Sequence, residues 1–335
     1  MFASKPVIKI GLDIGSHSIK MVKLSVEKEG YLLAGVGSVK VKNSTEKSTI
    51  EAIKDLARQL KLTTKNVAIS VSGSQVIVRF ITIPKMKESD IRGALQFEAE
   101  KYIPFNVKDV VIEYQVLKTR EQGRKLDLVL ACAKKDFIMK RIQTVEAADL
   151  IVDIVDIDTF SLANAFLKNN PSAGSTGAAM LVNMGFATTN VGIVDEGILC
   201  FARDIQFGGK IIDEQLAKLL GVDASTAEDL KGNPRTLSSE IATHMPVVLG
   251  NLFSEIKMSF GYFENQYGKT VNEVFVSGGM SGIAGIEKLF EEYIGTKAAL
   301  WDPMKFLRIE ERAVESSRLM PLKPSLAVSV GLALR

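Results

Sequence analysis

Two segments half a chain apart share one layout, and that recurrence constrains the fold more than any other feature of the sequence. In the first, the apolar runs 7–14 and 19–24 flank a turn of Gly15, Ser16, His17 and Ser18. In the second, residues 179–200 (AMLVNMGFATTNVGIVDEGILC) run through apolar strand, Asn183, Gly185, a Thr-Thr turn, apolar strand, Glu-Gly turn and a further strand. Each segment reads as a β-hairpin. Solenoid repeats are shorter, so the spacing predicts an internal duplication, with two similar lobes facing a common ligand.

The turns carry the chemistry. Gly15 can take positive φ and leaves no side chain in the way, so consecutive amides and two hydroxyls can converge on an anion such as a phosphate. Asp13, where the strand enters the turn, would repel phosphate but suits a hydrated magnesium, which keeps several waters and takes one or two carboxylates. Lys20 adds a cation nearby. Either segment alone could be an ordinary hairpin turn; the recurrence favours phosphate. A third signal is the strand Val271–Val276 running into Ser277-Gly278-Gly279-Met280-Ser281-Gly282. Adjacent glycines let backbone approach a base or sugar, and a helix following at once would add a positive dipole.

Other chemistries fit poorly. Gly268-Lys269-Thr270 looks like the tail of a P-loop, but Gly261 lies six residues upstream where four are required, and a helix precedes it. His17 and His244 are the only histidines and lack ligand-spaced cysteines, which argues against zinc. There is no G-x-S-x-G, so a serine triad has no support.

The chain has 335 residues, 46% hydrophobic and 24% charged, which suits a folded chain of more than one ordinary domain. Its 42 basic and 39 acidic residues are interspersed, leaving +3 and no nucleic-acid footprint. Cys132 and Cys200 lie far apart behind apolar runs and read as buried, reduced thiols of a cytosolic protein. No signal-peptide block opens the sequence, and no apolar stretch approaches the ~20 residues that span a bilayer. Membrane association is therefore expected through a partner rather than by direct insertion.

Along the chain, 1–75 reads as the core of a first lobe, with a third strand at 31–41 and an amphipathic helix on Ile50, Ile53, Leu56, Ala57 and Leu60. Residues 76–148 form a βαββα block that reads as an inserted subdomain. The first lobe resumes over 149–177, where Asp153, Asp156 and Asp158 alternate with apolar residues; Asp156 and Asp158 share a face of a strand end, expected as a solvated rim. A Ser/Gly link precedes the second lobe, 178–320. There a looser polar segment runs to about Pro234, and a long helix over 238–266 is expected to break near Pro246. Residues 321–335 read as a helix returning to the first lobe.

Together, Asp13-Ile14-Gly15-Ser16-His17-Ser18-Ile19-Lys20, Asn183-Met184-Gly185-Phe186-Ala187-Thr188-Thr189 and Ser277-Gly278-Gly279 resemble, in order and spacing, the phosphate 1, phosphate 2 and adenosine motifs of the actin, sugar kinase and DnaK-type ATPase superfamily. The inserted block resembles that of FtsA-like members. The segment Gln96-Phe97-Glu98-Ala99-Glu100-Lys101-Tyr102-Ile103-Pro104-Phe105 looks like the signature of the PilM family of type IV pilus assembly proteins. The resemblance covers essentially the whole chain and implies an α/β, two-lobed, actin-like (ribonuclease H-like) fold with an FtsA-type βαββα insertion.

It also implies roles. Gly15, Ser16, His17, Ser18 and Lys20 would hold the β- and γ-phosphates of ATP, with Asp13 and Asn183 holding magnesium through water. Gly185, Ala187, Thr188 and Thr189, with Gly208 and Gly209, would clasp the phosphates from the opposite lobe. Glu255 and Lys257 would meet the ribose, and Gly278, Gly279 and Met280 the adenosine. Asp158 falls where related ATPases orient the attacking water. The second phosphate motif usually carries Asp where this chain has Asn183, so slow or absent hydrolysis is expected; a unit charge pair at about 4 Å is worth roughly 4 kcal/mol at an effective dielectric of 20. The implied partner is the N-terminal cytoplasmic segment of a PilN-like bitopic protein, gripped beside the insertion at the cytoplasmic face of the inner membrane. Phe97, Tyr102, Ile103 and Phe105 lie on that insertion, and for any single one of them ordinary core is the preferred role. Other pilus platform or motor proteins, and a homo-oligomer, remain open partners. An FtsA-like tether is disfavoured because the sequence stops at Gly331-Leu332-Ala333-Leu334-Arg335 without a basic tail, and a small-molecule kinase because the lobes lack large inserts.

Overall fold

The computed structural model describes residues 7–42, 45–120, 123–171, 177–232, 239–309 and 319–335, excluding the side chains of 96–99, 232 and 239–242. The first lobe opens with β1 (Val7–Ile14), β2 (Ser18–Glu27) and β3 (Gly30–Lys40), an antiparallel meander in which Asp13 faces Lys20 and Ile14 faces Ile19. The helix α1 (Glu46–Gln59) begins at a Thr45 cap whose hydroxyl accepts from the Ser48 amide, and it buries Ala52, Ile53 and Leu56 at helical spacing. Next, β4 (Asn66–Val71) lies parallel to β1.

The insertion follows: β5 (Val76–Pro84), α2 (Glu88–Ala99), β6 (Val110–Arg120), β7 (Lys125–Lys134) and α3 (Lys135–Glu146). Its sheet runs β5-β7-β6, so β5 and β6 are both edges. Leu128, Leu130 and Cys132 of the central strand pack on Ile91, Leu95 and Ile103. Ile103 is buried and Phe105 packs on the same core, Tyr102 is exposed, and the Phe97 side chain lies outside the described residues. The first lobe then resumes with β8 (Ile151–Ile157) beside β4, and α4 (Asp158–Asn169).

The second lobe repeats the plan with β9 (Ala178–Met184), β10 (Thr189–Asp195) and β11 (Ile198–Ile205), then α5 (Gly209–Leu220), α6 (Ala224–Gly232) and α7 (Ser239–Tyr267). It continues with β12 (Val271–Ser277), α8 (Ile286–Ile294) and β13 (Lys297–Leu300). The chain closes with β14 (Arg308–Ile309), which pairs with β3 of the first lobe, and α9 (Ala327–Ala333). The order β3-β2-β1-β4-β8 in one sheet matches β11-β10-β9-β12-β13 in the other, with the same sequence of antiparallel and parallel pairings. The duplication read from the turns thus extends to whole sheets.

Between the sheets lie α4 and α9. α4, which follows β8, packs against β9, β10 and β11 of the opposite lobe as well as β4 and β8 of its own, and α9 packs against β1, β2 and β4. Leu162, Ala165 and Phe166 meet Leu326, Val330 and Ala333 in a core shared with Val22, Leu24 and Leu181. A Cβ on Gly331 would stand 1.8 Å from the Ser161 carbonyl oxygen, and one on Gly11 would stand 2.0 Å from that of Ser329. Close backbone approach, not backbone dihedrals, demands glycine at both positions.

Several expectations change. Residues 224–232 form α6 instead of a loose segment: Ala227 is buried, and Lys231, itself buried, pairs with Asp213 at 2.5 Å. Pro246 does not break α7, because Met245, Val248, Leu249 and Leu252 all bury against the second lobe and hold both halves on one axis. Asp156 is no rim residue. It is buried, accepts from the Ser161 hydroxyl at 2.7 Å and takes a bidentate pair from Arg335 at 2.6 and 2.7 Å, fastening the end of the chain to β8. The short strand Lys297–Leu300 carried no alternating pattern to reveal it. Cys132 is buried and Cys200 half-buried; both are free, with burial pushing their thiols up to about 11 and about 12.

Candidate functional site

A cleft of about 590 Å³ opens between the lobes, where the turn after β1 faces the turn after β9. Both turns close alike. A Cβ on Gly15 would stand 2.8 Å from the Ser18 carbonyl oxygen, and one on Gly185 would stand 2.6 Å from that of Thr188, to which the Gly185 amide donates at 3.0 Å. Neither glycine has the positive φ expected of Gly15; the returning backbone, not the dihedral, excludes a side chain at both.

From the first lobe, Asp13, Gly15, Ser16, His17, Ser18 and Lys20 all line the cleft. Lys20 pairs with Asp13 at 3.1 Å, both side chains mostly shielded. From the second, Asn183, Gly185, Ala187 and Thr188 line it, with Gly279 and Met280 beyond. Asn183 donates to Asn190 Oδ1 at 2.8 Å, Asn190 to Asp204 at 2.8 Å, and Asp204 accepts the Gly73 amide at 2.6 Å. This chain of bonds runs from the second phosphate-type turn to the start of the insertion. Burial raises the Asp204 carboxyl above the usual range, against the pull of its Asn190 and Gly73 bonds.

At the mouth, His17 sits between lobes. Its ring lies 4.6 Å from that of Phe186, and its Nε2 lies 3.4 Å from the Glu228 carboxylate of α6, which also receives Lys40 at 3.0 Å. Burial lowers the imidazole below its ordinary value despite the Glu228 charge.

Some expected residues lie elsewhere. Glu255, on α7, pairs with Arg203 of β11 at 2.5 Å, and Lys257 is exposed on the same helix; neither lines the cleft. The helical spacing that buries Leu252, Phe253 and Ile256 turns both charges away. Thr189 is buried with its hydroxyl on the Phe207 carbonyl. Gly208 and Gly209 support the turn from beneath, the Gly209 amide donating to the Gly185 carbonyl at 3.0 Å. The Gly278 amide is spent on the Pro324 carbonyl at 2.8 Å, and a single 3-10 turn over Gly279–Gly282, not a helix, follows it.

Asp158 begins α4, not a strand end, and stands in the cleft floor. Burial, then the charge of Asp13, lift its carboxyl to about 6, against hydrogen bonds from Ser70 and Ser72. Ser70, Ser72 and Asn190 line the cleft, as does Arg141, reaching in from α3 of the insertion. Sequence reasoning missed these four: the serines end an unremarkable strand, and Arg141 lies far from every motif.

A raised carboxyl is a cost to the folded state at neutral pH. The cost is absent below the unfolded value near 3.8, grows as pH rises and is complete above about 6. Asp158→Asn is therefore expected to stabilise the protein at pH 7.5 by about 1–2 kcal/mol. That figure is discounted from the full 3 kcal/mol of a shift of about two units because the side chain is part-exposed to the cleft. The gain should vanish near pH 4; thermal melts at the two pH values check it, and a gain unchanged by pH would refute the assignment.

The donor set suits a hydrated hard cation. Asp13, Asn183 and Asp158 offer oxygen, and among the described residues no group of three or more His, Cys, Asp or Glu forms a dry metal cage.

Comparison with known proteins places the chain. One solved structure, titled as the PilM-PilN type IV pilus biogenesis complex, superposes with a TM-score of 0.87 at 23% identity, covering 98% of each chain. Ethanolamine utilization protein EutJ from Carboxydothermus hydrogenoformans superposes at 0.58 with 14% identity, over 99% of this chain and 90% of that one. These likenesses show the fold, which is the actin-like one. The sequence model described as type IV pilus assembly protein PilM matches residues 11–335, and the chain accordingly belongs to the PilM family of type IV pilus assembly proteins.

Proposed function

We propose that this protein is an ATP-binding adaptor of the type IV pilus inner-membrane platform, which grips the N-terminal cytoplasmic peptide of a PilN-like protein and turns over nucleotide slowly or not at all. The observation that carries the nucleotide reading is the pair of matched glycine turns facing each other across one cleft. In this reading the Gly15–Ser18 turn and Lys20 hold the terminal phosphates, and Gly185, Ala187 and Thr188 clasp them from the other lobe. Gly279 and Met280 meet the adenosine. Asp13 and the Asn183 carbonyl oxygen hold magnesium through water; when bound, it neutralises phosphate charge. Asp158 is the base candidate. With Asn183 amide-bonded to Asn190, the second turn brings no charge of its own, which favours binding over hydrolysis.

The peptide site in this reading is a groove of about 220 Å³ where the insertion meets α4. Gln115, Val116 and Leu117 of β6 contribute to one wall, at a register shift between Val116 and Lys118. Phe160, Ala163 and Leu167 of α4 form another, with Gly197–Leu199 closing the end. Phe80, Val129 and Gln115, neighbours across β5, β7 and β6, complete a sheet-face wall, and an apolar slot between a sheet face and a helix suits a short peptide segment. Membrane attachment comes through that partner; no described helix is long and apolar enough to cross a bilayer.

The test is to incubate the protein for hours with magnesium and ATP, denature it, and chromatograph the released nucleotide, while titrating a labelled N-terminal PilN-like peptide. Intact ATP near one per chain and saturable peptide binding are expected. Mostly ADP, lost in Asp158→Ala, would replace the adaptor with a working ATPase, and no retained nucleotide would sink the cleft assignment.

A further inference from the structure

The insertion joins the first lobe through two stretches of chain, and both pass the floor of the cleft. On the way in, Ser70 and Ser72 bond Asp158, and the Gly73 amide donates to Asp204 at 2.6 Å, just before β5 starts. Gly73 itself holds φ +92°, a bend that glycine alone takes readily. On the way out, α3 carries Arg141. Its Nη1 donates to the Ile14 carbonyl at 3.1 Å, at the very start of the first phosphate-type turn, and Arg141 lines the same cleft as Asp158 and Asp13, whose charges act on its guanidinium. The Phe137 ring, one turn earlier on the helix, lies 5.9 Å from its guanidinium carbon.

We propose that Arg141 reads the terminal phosphate of a bound nucleotide and so makes the position of the inserted subdomain depend on whether a triphosphate or a diphosphate fills the cleft. The inference rests on reading the cleft as a nucleotide site. Arg141 is a shielded cation that belongs by chain to the insertion and by position to the cleft. A guanidinium is suited to a phosphate's paired oxygens, and a terminal phosphate near the turn offers an acceptor that a diphosphate lacks. α3 packs against β8 and α1 of the first lobe and against β7 of the insertion, so a shift of Arg141 moves an element common to both. That helix follows directly from β7, the strand that pairs with β6 at the rim of the proposed peptide groove. Any ligand with different affinity for two insertion positions shifts their populations, and by linkage the peptide and the nucleotide then alter each other's binding equally.

The experiment titrates the labelled PilN-like peptide into full-length protein with magnesium and AMPPNP, with magnesium and ADP, and without nucleotide. Direct calorimetric titration of each nucleotide accompanies it. In the wild type, AMPPNP is expected to change peptide affinity about tenfold relative to ADP. Arg141→Gln should abolish that difference and weaken AMPPNP about tenfold while leaving ADP within threefold; Arg141→Lys, which keeps the charge, should restore part of both. Thermal melts confirm that both variants fold. A triphosphate preference that survives Arg141→Gln overturns the proposal. So does wild-type protein that binds both nucleotides with no effect on peptide affinity, in which case the nucleotide site stands and only the role of Arg141 falls. Wild-type protein that binds neither nucleotide overturns both.

Discussion

Asp13→Ala is expected to cost magnesium-dependent ATP affinity on the order of 100-fold, consistent with the loss of about 3 kcal/mol when charge-assisted bonds around a ligand are removed. Asp13 and Lys20 neutralise each other at 3.1 Å on adjacent strands, in side chains only 13% and 16% exposed. Removing the carboxylate leaves Lys20 free to meet phosphate, so affinity for ATP in EDTA should hold or rise. Affinity with magnesium should fall until the two titrations coincide. That opposite response separates a metal-bearing carboxylate from a merely structural one, whose loss would depress both. Asp13→Asn, which preserves shape and a bond to its surroundings, should reproduce the loss of magnesium dependence. Equal magnesium enhancement in wild type and either variant would refute the assignment.

Gly331→Val is expected to destabilise the whole protein by about 3 kcal/mol or more, the upper range for overpacking. The atom a β-carbon would strike is a backbone oxygen, at 1.8 Å, with the Ser161 carbonyl carbon at 2.4 Å. Rotamer changes cannot relieve such a clash; α4 and α9 must move apart. Because the two helices share their core with both sheets, separation costs each lobe. Urea unfolding should shift to a lower midpoint, with both lobes melting together. Gly30→Ala serves as a contrast: nothing lies within 4 Å of its added carbon, and only the positive φ of 118° opposes it. A Gly331→Val midpoint no lower than that of Gly30→Ala would contradict the packing argument.

Much of this architecture was legible because its signals are local. Gly15 and Gly185 end strands with clear apolar runs, and the matching order of both sheets follows from one duplicated hairpin plan. What sequence could not supply was contact between distant segments. Arg141 resembles any helical arginine until α3 is set beside β1, and Asp156 looks like a rim carboxylate until Arg335, 179 positions away, comes to lie on it. Glu255 shows the converse: it stands on the helix before the third motif, yet helix phase turned it toward Arg203. Residue type and spacing reveal turns, whereas facing and pairing appear only when the chain has closed.

The crossing of α4 and α9 also fixes how the two lobes can turn. With backbone against backbone at Ser161 and Gly331, the helices act as the rivet of a pair of shears. Away from that crossing, at the mouth, the lobes meet again where His17 lies against Phe186. Glu228 bridges the blade tips by holding His17 and Lys40. The lobes are thus joined twice, by an ion cluster at the surface that a substitution can remove cheaply and by a backbone crossing in the core that tolerates none.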